Sequence, residues 1–163
     1  MERATNFISY NMHGFKQGIF FLEELCKAND VILLQEHWLV SSEVDKRLVD
    51  DNFILFAASA MDKTVARGVL RGRPFGGSAI LIRNSLADNT KLLFKSSRLI
   101  AVLFDHIIVF CVYMPCSSVT LREEIFIDIL TNIECILGEH SHEGVIIGGD
   151  FNICFRGSLS LVS

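Results

Sequence analysis

The chain has 163 residues, of which 50% are hydrophobic and 21% are charged, and its formal net charge at pH 7 is −4. This length suits one domain with its own core, and the composition excludes an intrinsically disordered chain. The negative charge argues against a protein that coats nucleic acid with a generally basic surface. It leaves room for a phosphate substrate, because a bound cation and a local basic loop can serve one.

The sequence shows no feature of a secreted or membrane protein. Its first ten residues, MERATNFISY, contain no hydrophobic signal core. The apolar run from Leu99 to Pro115 is interrupted by Asp105 and His106, so it predicts two strands around a turn and no membrane span. The five cysteines form no C-x-x-C pair, which favours buried free thiols. We therefore expect a nuclear or cytoplasmic location.

Hydrophobic periodicity predicts the elements of the first half of the chain. They are a strand at Asn6–Tyr10, a helix at Phe15–Ala28, a buried strand at Val31–Leu34, a helix from a Ser41 or Ser42 cap to about Val49, and a strand at Phe53–Ala58. From Met61 to Gly77 the chain is rich in glycine and arginine, which predicts a loop.

The second half reads as a series of strands, followed by a helix and a last strand. The predicted strands are Ser78–Arg83, Lys91–Phe94, Arg98–Phe104 and Ile107–Met114, which we expect to form antiparallel hairpins. Thr120 precedes a helical pattern that runs to Leu137, and Glu123 is placed as its capping-box partner. Val145–Ile147 is a short buried strand. Helices and strands in this order predict an α/β fold in which two mixed sheets pack between helices.

Four polar clusters stand at the ends of apolar strands, where α/β folds tend to gather their active groups. They are Ser9 to Gly14, Leu34 to Trp38, Val112 to Pro115, and Gly148 to Asn152. Taken singly, each cluster is equally well explained by a turn, a solvated side chain or ordinary packing. The sequence indicates a site only if the four clusters meet.

Together and in this order, the four clusters resemble the endonuclease/exonuclease/phosphatase superfamily. Gln35-Glu36-His37-Trp38, and Gly76-Gly77-Ser78-Ala79-Ile80-Leu81 after the Arg71–Phe75 stretch, look most like the endonuclease domain of non-long-terminal-repeat retrotransposons. The resemblance implies a four-layer α/β sandwich of two mixed β-sheets flanked by helices. It implies one domain over residues 1–163, incomplete at the C-terminus.

The resemblance also implies roles for five residues. Glu36 matches the metal-binding carboxylate of the family, and Asn11 matches the amide that helps to orient the metal and the phosphate. Asp150 matches the residue that orients or deprotonates the attacking water. Asn152 matches a donor to the developing phosphorane charge, and Tyr113 matches a tyrosine that supports the phosphate or the nucleophile. Hard oxygen ligands of this kind suit Mg²⁺, with Mn²⁺ as a substitute.

The implied activity is nicking of target DNA by a monomeric endonuclease, which exposes a 3′ hydroxyl. Arg67, Arg71 and Arg73 are the best candidates for contact with the DNA backbone, because arginine binds phosphate through paired hydrogen bonds. A solvated loop explains these arginines equally well.

Two departures from the family pattern bear on activity. His13 stands where relatives commonly have an acidic or amide residue, and a neutral imidazole there weakens the binding of any second metal. After Asn152 the sequence has no Ser-Asp-His-type motif, so we expect a truncated chain with weak or no catalysis. We also expect uncovered strand edges to favour aggregation.

Three alternatives stay open. The first is an abasic-site repair nuclease of the same superfamily. The second is a phosphoinositide phosphatase, although Asp150 is followed by Phe151-Asn152-Ile153, which favours nucleases. The third is a non-catalytic retrotransposon relic.

Overall fold

The structure is a computed structural model that describes residues 4–48, 50–65, 68 and 74–153. The strands are β1 (Phe7–Asn11), β2 (Val31–Gln35), β3 (Phe53–Ala58), β4 (Ser78–Arg83), β5 (Thr90–Lys95), β6 (Leu99–Phe104), β7 (Ile107–Tyr113) and β8 (Gly144–Asp150). The helices are α1 (Phe15–Ala28), α2 (Ser41–Arg47), α3 (Asp62–Val65) and α4 (Arg122–Glu139), with a 3₁₀ helix at Asn84–Asn89.

The strands form two four-stranded mixed sheets. The first has the order β1-β2-β4-β3, with β1 parallel to β2 and the other pairs antiparallel. The second has the order β5-β6-β7-β8, with β7 parallel to β8 and the other pairs antiparallel. The predicted fold class, two mixed sheets flanked by helices, is therefore confirmed.

Three hydrophobic cores hold the four layers together. Leu22 of α1 and Val44 of α2 pack on the outer face of the first sheet. Leu33 and Ile80 meet Val102 and Val109 between the sheets, where they are almost fully buried. On the outer face of the second sheet, the buried positions of α4 cover Phe110 and its neighbours; those α4 positions are Ile129, Ile133 and Ile136. Alternate residues of β7 thus serve two different cores, as the period of a strand requires.

Both predicted serine or threonine caps were wrong. The residue before α2 is Val40, and no side chain on α2 or Val40 caps the first turn. Instead Asp62 accepts the backbone N–H of Ser41 at 2.8 Å and also binds the Ser41 hydroxyl. Helix α4 begins after Leu121, whose backbone is left-handed (φ 59°), without a side-chain cap. The capping box from Thr120 to Glu123 is therefore absent.

The predicted hairpin series was correct for β5, β6 and β7 but not for β4. Strand β4 lies in the first sheet between β2 and β3. The 3₁₀ helix at Asn84–Asn89 carries the chain from the first sheet to the second. The predicted loop from Met61 to Gly77 begins with α3, and its arginines Arg67, Arg71 and Arg73 lie outside the described residues.

The two sheets place four strand ends at one edge of the sandwich. Strand β1 packs against β8 across the gap between the sheets. Strand β2 also approaches β8 closely at Gly148, where a Cβ would lie 2.5 Å from Cδ1 of Leu33. Strands β1 and β2 are parallel, as are β7 and β8, and the hydrogen bond between Asn11 and Asp150 places the carboxyl ends of both pairs on the same side. In the described part of the chain, no helix is long and apolar enough to cross a membrane.

Candidate active site

The structure brings the five predicted site residues to this edge. Asn11, Tyr113 and Asp150 are the last residues of β1, β7 and β8, and Glu36 follows β2 directly. Asn152 lies two residues beyond the end of β8. The four polar clusters at the strand ends therefore meet, as the sequence required of a site.

Asn11 connects the two carboxylates of the site. Its side-chain nitrogen Nδ2 donates to Oδ2 of Asp150 at 2.8 Å and to Oε1 of Glu36 at 3.2 Å. Its side-chain oxygen Oδ1 accepts the backbone N–H of His13 at 3.0 Å. The amide thus holds one carboxylate from each sheet at a defined separation, and His13 contributes through its backbone.

Glu36 occupies a strained turn that is held from both sides. Its backbone is left-handed (φ 57°), a conformation that residues with a Cβ adopt rarely. Its N–H donates to the carbonyl of Gly77 and its own carbonyl accepts from Gly14, both at 2.8 Å. Strain of this kind persists only where the surroundings enforce it, and it clusters at functional sites.

The Tyr113 hydroxyl is a further partner of Glu36. Burial raises the pKa of Tyr113 well above its ordinary value, and the charge of Glu36 and its hydrogen bond with the hydroxyl add to this effect. The guanidinium of Arg98 lies 4.9 Å from the centre of the tyrosine ring and opposes the increase only in part. Tyr113 therefore remains a protonated donor to the Glu36 carboxylate.

Asp150 and Asn152 form a compact turn after β8. The backbone N–H of Asn152 donates to Oδ1 of Asp150 at 3.0 Å. Nδ2 of Asn152 donates to the carbonyl of Met114 at 2.8 Å, and the N–H of Met114 donates to the carbonyl of Asp150 at 2.8 Å. Asn152 has a left-handed backbone (φ 48°), which asparagine tolerates better than most residues.

His37 supports the turn from inside the protein. It is fully buried, its Nδ1 accepts the N–H of Leu39 at 3.1 Å, and its Nε2 lies 3.1 Å from the carbonyl of Ala58. Burial lowers the pKa of His37, so the ring is neutral with its proton on Nε2. A Cβ on Gly77 would lie 2.5 Å from the ring. The Glu36 turn and the segment that leads into β4 are therefore fitted to one another.

Trp38 is the site residue that the sequence pattern did not reveal, since a tryptophan in this position is more often a packing residue. Its indole N–H donates to Oε2 of Glu36 at 3.0 Å. The sequence offered only a weak indication of this contact, namely that the N–H of a buried tryptophan usually finds a hydrogen-bond partner and that a polar cluster lies next to Trp38. The backbone of Trp38 is left-handed (φ 58°) where its ring turns back toward Glu36.

The oxygen donors of the site are of the kind that a hard divalent cation prefers. Among the described residues, no group of three or more His, Cys, Asp or Glu side chains could hold a metal ion. Mg²⁺ commonly binds through one or two carboxylates, with water and substrate phosphate completing its shell. Glu36 and Asp150 could supply those carboxylates. Asn11 presents its nitrogen to them, while its oxygen is engaged by His13.

Comparisons with known proteins agree with the fold. A family model described as the Endonuclease/Exonuclease/phosphatase family matches residues 8–159. No sequence among curated proteins matches the chain. The structure is similar to the 3′ phosphatase NExo from Neisseria bound to a product DNA hairpin, with a TM-score of 0.65 and 16% identity over 92% of this chain and 58% of that one.

Two further solved structures are similar. For the catalytic domain of Xenopus laevis APE2 the TM-score is 0.63 at 18% identity, over 93% of this chain and 60% of that one. For an AP endonuclease from Archaeoglobus fulgidus the TM-score is 0.64 at 14% identity, over 92% and 58%. At these identities the likeness shows the fold, and the chain spans about three fifths of each structure's length.

Proposed function

The chain belongs to the endonuclease/exonuclease/phosphatase family, and on this premise we propose that its site is that of a Mg²⁺-dependent DNA endonuclease. The observation that carries the proposal is the Asn11 amide, which holds the carboxylates of Glu36 and Asp150 together from different sheets. Two acidic groups beside neutral amide and phenol donors suit phosphodiester hydrolysis, in which a cation and a water must be placed on one phosphate.

Glu36 would hold the ion, with Asn11 beside it, and the ion when bound acts as a Lewis acid and orients the phosphate. In the proposed reaction a water oxygen forms the bond to phosphorus, and the bond from phosphorus to the 3′ oxygen breaks. Asp150 takes the proton from the water, and the leaving 3′ oxygen takes up a proton from solvent. The products are a 3′ hydroxyl and a 5′ phosphate.

The neutral donors of the site have separate proposed tasks. Asn152 uses one hydrogen of Nδ2 on the carbonyl of Met114. Its second hydrogen is available for a non-bridging phosphate oxygen, where charge grows in the transition state. Tyr113 keeps the Glu36 carboxylate in place through its protonated hydroxyl. A preorganised donor of this type typically lowers the activation barrier by about 3 kcal/mol.

DNA is the proposed substrate, and the loop that contains Arg67, Arg71 and Arg73 is its proposed contact. The described residues after this loop lie beside the site, since the carbonyls of Gly76 and Gly77 accept the N–H groups of Trp38 and Glu36. The three arginines thus precede a segment anchored at the metal carboxylate. One of the similar structures, a 3′ phosphatase, is bound to a product DNA hairpin, which supports a nucleic-acid substrate.

We further propose the retrotransposon type of endonuclease, acting as a monomer in the nucleus or cytoplasm. Two motifs carry this likeness, one around Glu36 and one beginning at Gly76, and they touch through the ring of His37 against Gly77. An abasic-site nuclease is the second candidate, favoured by the similarity to an AP endonuclease structure.

The test is a nicking assay on two plasmids, one intact and supercoiled and one with a single abasic site. We expect conversion of the intact plasmid to the nicked circle in Mg²⁺, even if slow, with 3′ hydroxyl ends that a polymerase can extend. Glu36→Gln should remove the activity, and Asn132→Ala on the exposed face of α4 should leave it unchanged. Cleavage of the abasic plasmid alone would favour the repair nuclease, and no cleavage with no metal binding would overturn the proposal.

A further inference from the structure

The Glu36 carboxylate is held by neutral donors on both of its oxygens. Nδ2 of Asn11 donates to Oε1 at 3.2 Å, and Nε1 of Trp38 donates to Oε2 at 3.0 Å. The hydroxyl of Tyr113 is a third donor to the same carboxylate. A carboxylate with donors on both oxygens cannot rotate freely, because rotation would break at least one hydrogen bond.

Trp38 differs from the other two donors because it is close to Glu36 in the sequence and because its ring packs tightly against Gly14. The indole reaches back across only two residues to Glu36. Its ring packs so closely on Gly14 that a Cβ there would lie 2.3 Å from Cε3. The His13 ring stands beside it, with centroids 6.3 Å apart. The ring therefore has a fixed position against the first site motif.

The backbone around Trp38 is fixed as well. Its N–H donates to the carbonyl of Gly76 at 3.1 Å, and the N–H of Phe15 donates to the carbonyl of His37 at 3.0 Å. Both Glu36 and Trp38 have left-handed backbones, with φ of 57° and 58°. Backbone strain of this kind clusters at functional sites, and here the strained turn carries an indole N–H that donates to a carboxylate.

We propose that Trp38 is a positioning residue that presets the Glu36 carboxylate for the divalent cation. The inference rests on the proposed function and deepens it. The indole N–H occupies Oε2, which leaves Oε1 on the side of Asn11, and the same Asn11 nitrogen also donates to Asp150. Partners that orient a metal-binding carboxylate typically change metal affinity by about 10- to 100-fold. Trp38 therefore sets cation affinity without touching the substrate.

The experiment removes one hydrogen-bond donor and leaves the shape of the side chain. Trp38 is the only tryptophan in the chain, so its replacement by benzothienylalanine, in which sulfur stands for the indole N–H, changes this group alone. Replacement by fluorotryptophan, which keeps the N–H, is the matched control. Mn²⁺ binding is measured by electron paramagnetic resonance of the free ion, together with thermal melting and nicking of a supercoiled plasmid.

We expect the dissociation constant of Mn²⁺ to rise at least about tenfold in the benzothienylalanine protein. The melting temperature without metal and the KM for DNA should stay unchanged, and kcat at limiting metal should fall. The fluorotryptophan protein should behave as the wild type does. Trp38→Phe, which also lacks the donor, should show the same loss of affinity.

The outcomes separate this inference from the proposed function. Unchanged or tighter Mn²⁺ binding by the benzothienylalanine protein, with a wild type that binds Mn²⁺, would overturn the role of Trp38 alone. A wild-type chain that binds no Mn²⁺ would overturn the proposed function and the role of Trp38 together. Equal loss in the benzothienylalanine and fluorotryptophan proteins would also overturn the inference, because fluorotryptophan keeps the N–H and the effect would then come from altering the ring.

Discussion

The side-chain nitrogen of Asn11 lies 2.8 Å from Oδ2 of Asp150, although 139 positions separate the two residues in the sequence. This hydrogen bond joins the last residue of β1 to the last residue of β8, and so it joins the two sheets. Asn11→Ala should leave the two carboxylates without a shared donor. We expect metal affinity and nicking to fall by about 10- to 100-fold, as measured by Mn²⁺ titration and plasmid cleavage.

Asn11→Asp sharpens this prediction. A third carboxylate beside Glu36 and Asp150 would repel both, so the variant should lose stability without metal and regain it when Mg²⁺ is added. The Asn132→Ala variant, which removes an exposed amide on α4, serves as the control. Metal affinity in Asn11→Ala equal to that of the wild type would contradict the bridging role.

The pKa of Tyr113 gives a prediction for the pH dependence of stability. Both tyrosines of the chain, Tyr10 and Tyr113, have raised pKa values because of burial, and the increase is larger for Tyr113, which also faces Glu36. A group whose pKa is raised on folding stabilises the folded state fully below its unfolded pKa, here about 10. That stability is lost as the pH rises through the folded pKa.

Phenolate absorbance measured over an alkaline pH series checks this. Tyr10→Phe should remove the earlier transition and Tyr113→Phe the later one. Tyr113→Phe should also reduce nicking while keeping the ring against Arg98, and its melting temperature near neutral pH should fall because the protonated hydroxyl contributes fully there. A later transition that persists in Tyr113→Phe would show that the hydroxyl is not the protected group.

Gly77 is predicted to be intolerant of any side chain. Its φ is +89°, and a Cβ would lie 2.5 Å from Nε2 of the buried His37 ring. Gly77→Ala should therefore destabilise the protein by about 2–3 kcal/mol, through overpacking and backbone strain. In Gly138→Ala, by contrast, the added Cβ meets nothing within 4 Å and lies inside α4. That variant should gain up to about 1 kcal/mol in urea unfolding.

Asp62 is predicted to act as the missing cap of α2. It accepts the Ser41 N–H, and these hydrogen bonds with Ser41 hold the pKa of Asp62 below its ordinary value. Asp62→Ala should cost about 1 kcal/mol, as the loss of a cap usually does. Asp45→Ala, on an exposed position of the same helix, should cost little.

The pH dependence of this difference supplies a second measurement. A carboxylate whose pKa is lowered on folding contributes stability above its unfolded pKa, 3.8 for this group, and loses it as the pH falls through the folded value. The gap in melting temperature between wild type and Asp62→Ala should thus be full at neutral pH and shrink in acid. A gap that is constant with pH would exclude the carboxylate as the cap.

Sequence periodicity was sufficient for most of the strands and longer helices, whereas the site residues were predicted from the resemblance of four strand-end clusters to a known family. Helix α1 and strand β3 have the predicted bounds, because each buries one clear apolar pattern. The meeting of the site residues at one edge agrees with the tendency of α/β folds to gather active groups at strand ends. A short apolar strand such as β4 carries no sign of which sheet it joins, so its place next to β2 was not predictable.

Contacts set by distant or strained backbone were out of reach for sequence reasoning. Asp62 caps α2 from 21 positions away, where no local capping pattern can show it. The Trp38 indole meets Glu36 only because two left-handed residues, Glu36 and Trp38, stand on either side of His37 in the chain. The residue types do not predict a left-handed backbone, since neither glutamate nor tryptophan favours that conformation.

Because the two carboxylates of the site belong to different sheets, the distance between them depends on how the two sheets pack against each other. Glu36 moves with the first sheet and Asp150 with the second, and the seam beneath them is set by the fit of Leu33 against Gly148. A slightly thicker core would part the carboxylates without altering either residue. Substitutions of buried hydrophobic residues between the sheets should therefore change the metal preference of the site before they unfold the protein.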